Sequence, residues 1–591
     1  MKNKVQTSNK NLFGRLFRYA KPYFWKYMLA IFIMIVLVAC DLVVPYFLGL
    51  SLKILGQSPI DFNRILFLLF LGVVDLGITC VLTYFQTMIL HNIGHKIIFD
   101  MRNEVLNHIQ SYSHAQFNDI PTGKLVTRVT SDVNVLFTLY TQMMVSLLRN
   151  IVTIICVFVA MALLNVQLTL LLLIIVPILG IGSYIFRKYS RKIHRKVRDN
   201  ISNMNAFLSE NISGIKITQV FNQEEKKYQE FTENNNTLKK SLLKEILVFG
   251  IFRPSIYLLY LASVVIVFWF GGNWAIEFNL GTGMIVLTYD VLFTFYQYIS
   301  KFFNPIQTLA DQFNELQSSY AAAEKIFSIL DTETTIKDDP DAIDVKITGD
   351  IEFKDVWFSY IPGEWVLKGV SFHINPNDTI AFVGATGSGK TTILSLIVRN
   401  YDIQKGQILI DGVDIKKIKL ESLRSQIGQM LQDVFLFSGT VLSNIQMNDE
   451  SISFDEVKEA SEYINAAKFI DKLPNGYYEE TRERGNNFSL GQRQLISFAR
   501  TIVHKPTVMI LDEATANIDT ETEVLIQDSL EKIINNGTII IVAHRLSTIQ
   551  HANKIFVFHN GEIIEEGNHQ ELLKKQGRYY KLYKLQYSEE K

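Results

Sequence analysis

The sequence predicts a chain in two parts, an α-helical membrane domain of six transmembrane helices followed by a soluble α/β domain. Three observations predict it. Apolar runs dominate up to about residue 305 and mixed sequence follows, in a chain of 591 residues that is too long for one compact core. Between Arg149 and Arg187 no residue is charged, a stretch long enough for two spans. At 381–397, "AFVGATGSGKTTILSLI", an apolar strand runs into a glycine-rich turn and then a helix. The expected division is a membrane domain over 1–325 with two long intracellular helical loops, a linker over 326–348, and a nucleotide-binding domain over 349–591.

The spans follow from the rule that about 20 mostly apolar residues cross a bilayer. Residues 27–52 qualify, interrupted by Asp41, and so do 65–90, interrupted by Asp75. The uncharged stretch after Arg149 divides at the polar "LNVQ" of 164–167, read as a tight hairpin. Residues 254–276 form a fifth span and 278–300, with Asp290, a sixth. Residues 1–26 carry Lys2, Lys4, Lys10, Arg15, Arg18, Lys21 and Lys26 and no acid, and the apolar run after them is too long for a cleaved leader. Basic flanks keep this end in the cytoplasm, as does "RKYSRKIHRKVRD" at 187–199, so both termini are expected there. The long stretches 91–148 and 187–253 then lie inside the cell, each with a Gly or Pro break (117–132 and 210–224) suited to a turn and a short helix. Trp274 suits an interfacial anchor.

An acid at mid-span costs roughly 2.5–3.5 kcal/mol, so Asp41, Asp75 and Asp290 are expected to face a polar cavity, to bond a neighbouring helix, or to lie beyond the bilayer. Lining a cavity, they would favour cationic amphiphiles as cargo. Cys40, Cys80 and Cys156 all lie in apolar runs and read as small buried hydrophobes rather than metal ligands. A net charge of zero gives no reason to expect nucleic acid as a partner.

After the acidic segment 331–344, β-rich patterning begins at "IEFKDVWFSY". The G-x-x-x-x-G-K-T run from Gly384 to Thr391 makes this an α/β P-loop NTPase domain. Backbone N–H groups of Gly387, Ser388, Gly389, Lys390 and Thr391 can wrap phosphates at a helix N-terminus, flanked by Thr386 and Thr392. Lys390 would reach the β- and γ-phosphates of ATP and Thr391 would ligate Mg2+. "TVMILDEATANID" (507–519) reads as a buried strand ending in Asp512, placed to hold magnesium through water, and Glu513, placed as general base for the attacking water. His544, at the end of the next apolar strand, would contact the γ-phosphate. Gln432 would sense magnesium and the attacking water, and Tyr360 would stack on adenine.

Taken together, Tyr360, residues 384–391, Gln432, "FSLGQRQ", "ILDEATA", Asp519 and His544 resemble the nucleotide-binding domain of ABC transporters, and the six-span half resembles their exporter-type membrane domain. The resemblance covers roughly residues 12–585. It implies that two such domains pack head to tail around two ATP molecules, each site borrowing a signature loop, usually L-S-G-G-Q, from the other domain. Ser489, Gly491 and Gln492 would then face the partner's nucleotide, and "TRERG" (481–485) resembles the segment that touches the partner's intracellular loops.

Here the loop reads Phe488-Ser489-Leu490-Gly491-Gln492, with Leu490 where the family has a glycine. Leucine adds bulk beside the phosphates and removes backbone freedom. A homodimer would carry this handicap in both sites; a heterodimer can segregate it. The sequence is thus similar to the subunit that carries the catalytic glutamate in heterodimeric bacterial multidrug exporters, with a second ABC half of intact signature loop as partner. The expectation is a multi-pass protein of the bacterial plasma membrane that exports hydrophobic or amphipathic small molecules. A homodimeric lipid flippase or exporter, and an ATP-gated sensor or channel, are the alternatives.

Overall fold

The computed structural model describes residues 9–57, 59–279, 288–430, 434–512, 520–534, 537–542 and 549–589. The chain forms two units, one of Met1–Gln110 with Thr122–Glu333 and the other of Ser111–Pro121 with Thr334–Lys591.

The first unit is helical: α1 (Asn9–Ala20), α2 (Phe24–Leu55) and α3 (Phe62–Gln110) lead to α4 (His114–Asp119), which belongs to the second unit. The first unit resumes with α5 (Thr122–Leu164), α6 (Val166–Ser213), the short α7 (Ile215–Val220), α8 (Glu224–Asn279) and α9 (Tyr289–Leu330). Among the described residues, five helical stretches are long and apolar enough to cross a membrane: Leu12–Leu55, Phe62–Gln110, Thr122–Leu164, Val166–Ser213 and Glu224–Trp274. The stretch expected as a sixth span, 278–300, falls partly outside the described residues and continues as α9. At 1.5 Å per residue α3 is about 70 Å long, against a hydrocarbon core of about 30 Å, so it extends far beyond a bilayer.

Local chemistry explains the breaks. The hairpin at 164–167 is a single extended residue, Asn165, whose side chain accepts a bond from Leu168 N and so caps α6. Ile120, held extended before Pro121, separates α4 from α5. Gly214 ends α6 and opens α7. Inside α5 the ladder loosens into π-turns at Arg128–Asp132 and Leu139–Met143. The second turn holds Tyr140, wholly buried, whose hydroxyl donates to Leu16 O over 2.8 Å and ties α1 down. Arg15 adds an ion pair to Asp331 at 2.6 Å.

Among the described residues the second unit contains three sheets. β1 (Ile351–Phe358), β2 (Leu367–Ile374), β4 (Lys405–Ile410) and β5 (Val413–Asp414) form an antiparallel sheet in the order β2-β1-β4-β5. β3 (Thr379–Gly384), β6 (Ile427–Met430), β9 (Val508–Asp512), β10 (Thr538–Val542), β11 (Lys554–His559) and β12 (Glu562–Gly567) form the central one, ordered β12-β11-β3-β10-β9-β6 and parallel except for β12. The two-residue strands β7 (Gly439–Thr440) and β8 (Glu480–Thr481) pair with each other. The central strands are buried on both faces, as parallel sheets require, and read as near-continuous apolar runs such as "VMILD" and "TIIIV".

Residues 334–348 are bonded to the second unit: Ile343 bridges Ile418, and Ile347 N donates to the Gln426 side chain over 2.8 Å. α4 is held in the same way. Its capping residue Ser113 meets Thr335 Oγ1 at 2.6 Å, and Gln116 accepts from Thr335 N.

Candidate functional site

β3, β10, β9 and β6 are neighbours in one parallel sheet, so their carboxyl ends share an edge, the place where open α/β sheets bind ligands. Asp512, the last residue of β9, is in register with Val542, which is in turn in register with Phe382 of β3. Glu513, Gln432 and His544, expected to perform the chemistry, lie outside the described residues, as does Asp519. The chain enters their segments from the carboxyl ends of β9, β6 and β10, one strand each.

From β3 the chain turns through Gly384–Gly389 into α10 (Lys390–Ile397). Gly387 and Gly389 have φ of 80° and 107°, and Gly389 is the N-cap of α10. A Cβ at Gly389 would stand 2.8 Å from Leu367 Cδ2, whereas one at Gly387 would meet nothing within 4 Å. Glycine adopts these left-handed angles without strain, and in this loop the Ser388 N–H is held by Ala385 O at 3.1 Å. Lys390, only 5% exposed, donates from Nζ to Gly384 O at 2.7 Å and Ala385 O at 3.1 Å, which holds its ammonium across the loop. The Ser388 hydroxyl is buried and has no hydrogen-bond partner among the described residues. An orphaned buried hydroxyl is unfavourable by about 1–3 kcal/mol, and this one fits a phosphate oxygen as acceptor. Thr391 is exposed on the first turn of α10, and Thr386 is exposed in the loop.

Tyr360, 48% exposed, hydrogen-bonds Thr392 Oγ1 at 3.1 Å. Burial of its hydroxyl raises its pKa, with the Thr392 bond opposing, so it stays a neutral phenol. Its ring packs edge-on to Tyr401, centroids 5.1 Å apart. Tyr401 meets His114 of α4 edge-on at 6.0 Å, and its hydroxyl accepts from Asn118 Nδ2 at 3.2 Å. Sequence reading missed this chain of contacts; nothing in "VRNYDIQ" distinguishes Tyr401 from an ordinary aromatic. Tyr401→Ala is expected to raise the ATP concentration for half-maximal hydrolysis about 2–10-fold, the worth of an aromatic pair. Tyr401→Phe should leave it nearly unchanged. Titrating ATP against phosphate release checks both.

The second constellation lies at the start of α12, reached after α11 (Val441–Gln446); α12 spans Leu490–Val503. Ser489 is its N-cap: Ser489 Oγ accepts from Gln492 N at 3.2 Å and the Gln492 side chain accepts from Ser489 N at 3.0 Å. Leu490 is the first helical residue and half-buried, and Gly491 is buried. One part of the sequence reading is corrected here. Position 490 has ordinary helical backbone with no positive φ, so leucine removes no conformation that this loop uses. What distinguishes it from glycine is the bulk of its side chain.

Arg500 fixes α12 to α11, donating to Asn444 O at 2.9 Å, Asn444 Oδ1 at 3.1 Å and Phe435 O at 3.1 Å. Arg500→Ala should lower the thermal midpoint measurably, at roughly 2–4 °C for each kcal/mol lost. A thermal scan in which the midpoint did not move would mean that these bonds contribute nothing.

Comparison with known proteins places this geometry. Residues 27–306 match the family described as ABC transporter transmembrane region, and residues 367–516 match that described as ABC transporter. Over 97% of this chain and 94% of its own length, YknV of Bacillus subtilis (strain 168), an uncharacterized ABC transporter ATP-binding protein, is 38% identical. The chain is an ABC transporter.

This ABC transporter is an exporter-type half, with membrane and nucleotide-binding domains fused in one multi-pass polypeptide. It binds ATP and hydrolyses it in coupling to transport, and exporters of this type work as dimers in the membrane. YheH of the same Bacillus strain, a probable multidrug resistance ABC transporter ATP-binding/permease protein, is 38% identical over 85% of this chain and 74% of its own. An ATP-dependent lipid A-core flippase of Syntrophus aciditrophicus (strain SB) is 35% identical over 86% and 84%. In fold, the chain is similar to a bacterial Atm1-family ABC exporter solved with ATP bound, with a TM-score of 0.76 and 24% identity over 95% of this chain and 98% of that one.

Proposed function

We propose that this half-transporter pairs with a different ABC half and exports hydrophobic or amphipathic compounds across the bacterial plasma membrane, using one competent and one degenerate ATP site. The observation that carries the proposal is Leu490 on the first turn of α12, beside the Ser489 cap. In this reading the N–H groups of Gly387–Thr391 and the Ser388 hydroxyl hold the phosphates, Lys390 leaves its carbonyls for the β- and γ-oxygens, and Tyr360 stacks on adenine. Thr391, Asp512 and Gln432 would hold Mg2+, which would neutralise charge developing on the transferred phosphate. Glu513 takes the proton of the attacking water, and His544 contacts the γ-phosphate.

Ser489, Gly491 and Gln492 would face the partner's nucleotide. The Leu490 side chain there crowds the phosphates without removing an N–H, so ATP is held at that site but turned over poorly. The partner's intact signature completes the Glu513 site. Both termini lie in the cytoplasm, where the nucleotide domains close on ATP and the intracellular helices carry that motion to the spans. The named relatives support an apolar or amphipathic cargo, since a multidrug exporter and a lipid flippase handle the same chemistry.

The test is ATP-dependent uptake into inverted vesicles holding the co-expressed pair. Accumulation of an amphipathic dye is the expected result. Headgroup translocation of a labelled phospholipid without dye uptake would replace the proposal with a lipid flippase, and hydrolysis with neither would leave a sensor or channel.

A further inference from the structure

The three acids of the apolar runs divide in the structure. Asp41 is neutralised: its Oδ2 accepts from Arg149 of α5 at 2.9 Å. Asp290 lies in the first turn of α9, where the helix dipole favours an anion. Asp75 has neither form of compensation. Among the described residues no basic side chain pairs with it, and its described neighbour is the Cys40 thiol of α2.

A half-open cavity of about 180 Å³ lies between α2 and α3 with an almost wholly apolar lining, to which Asp75 itself does not contribute. Val44, Phe47 and Leu48 line it from α2, and Leu68, Gly72 and Leu76 from α3. Gly72 is three residues before Asp75 and Leu76 is next to it, while Val44 is one turn beyond Cys40. By helical spacing Asp75 stands about one turn along α3 from the lining residue Gly72, on the same side of the helix. An uncompensated acid of an apolar run near an apolar hollow has the two-ended chemistry of a cationic amphiphile.

We infer that Asp75 and the α2–α3 cavity form a binding site for a cationic amphiphile, with the cation on Asp75 and an alkyl or aryl tail in the cavity. The inference deepens the cargo class proposed above and rests on that reading. It also separates two acids that look alike in the sequence: Asp41 acts as a strut to α5, and Asp75 as the cargo contact.

The experiment uses the complete transporter in phosphatidylcholine nanodiscs and a decyltrimethylammonium probe carrying a photoreactive diazirine, with labelled peptides mapped by mass spectrometry. Labelling within 44–51 and 68–76 is expected, with decyltrimethylammonium displacing the probe at a concentration at least about tenfold below that of decanol, and decanoate weakest. Asp75→Asn should erase the preference for the cation over decanol, while Asp41→Asn should retain it. A Cβ at Gly72 meets no heavy atom within 4 Å, so Gly72→Leu can extend into the hollow and should block labelling. This variant keeps the test open if Asp75→Asn does not fold. Equal displacement by cation and alcohol, or labelling that survives Gly72→Leu, would reduce the cavity to a lipid-filled groove and overturn the inference. Labelling requires neither turnover nor a particular partner, so a homodimer or a failed uptake assay would count against the proposed function alone.

Discussion

Glu513→Gln should lower ATP turnover by about 10²–10⁴-fold, the usual contribution of a positioned general base, while ATP binding persists. The substitution keeps the size of the side chain and removes its basicity. The groups assigned to binding, namely the phosphate loop with its buried Ser388 hydroxyl and Tyr360 with its Thr392 bond, are untouched. In a heterodimer the effect should be nearly complete, because the other site is already slow. Phosphate release and binding of a fluorescent ATP analogue, measured on one preparation, separate the two effects. Near-normal turnover would remove Glu513 from the role of base; loss of binding would show that it holds the nucleotide.

Leu490→Gly should produce the second largest change, and in the opposite direction. If the leucine side chain handicaps the site it faces, trimming it in a preparation of this chain alone should raise ATP hydrolysis by at least about tenfold, equivalent to 1.4 kcal/mol of transition-state stabilisation. Since Leu490 has ordinary helical geometry, this gain would come from cleared space and not from freed dihedrals. Glycine in the first turn of α12 also weakens the helix by up to about 1 kcal/mol, which makes any observed gain a lower bound. Leu490→Ala then distinguishes bulk from backbone: most of the gain should already appear with alanine. No gain in either variant would show that leucine is tolerated at this position.

The division into a membrane half and a nucleotide half was legible because each depends on local signals. Long uncharged runs have few soluble alternatives, and a strand, glycine loop, lysine and helix in succession leave little besides a phosphate site. The hairpin at 164–167 was legible from the interruption alone, although its reduction to one extended residue, Asn165, depends on a cap that only the geometry reveals. Contacts between residues distant in sequence were not legible. Arg149 lies 108 positions from Asp41 and Asn118 lies 283 from Tyr401, and no periodicity links either pair. The same holds for α4, whose attachment runs through Ser113 and Gln116 to Thr335, more than 200 residues away. At Leu490 the backbone argument did not carry over, because the residue has ordinary helical geometry and a glycine in a family pattern does not by itself indicate a positive φ.

The most direct test is the native mass of the detergent-purified complex, made once with this chain alone and once with the product of the adjacent gene co-expressed, with ATP hydrolysis measured on both. The account predicts a one-to-one complex of two different halves that hydrolyses ATP, and little hydrolysis from this chain alone. A stable homodimer of this chain with full activity would contradict it, because Leu490 would then sit in two working sites.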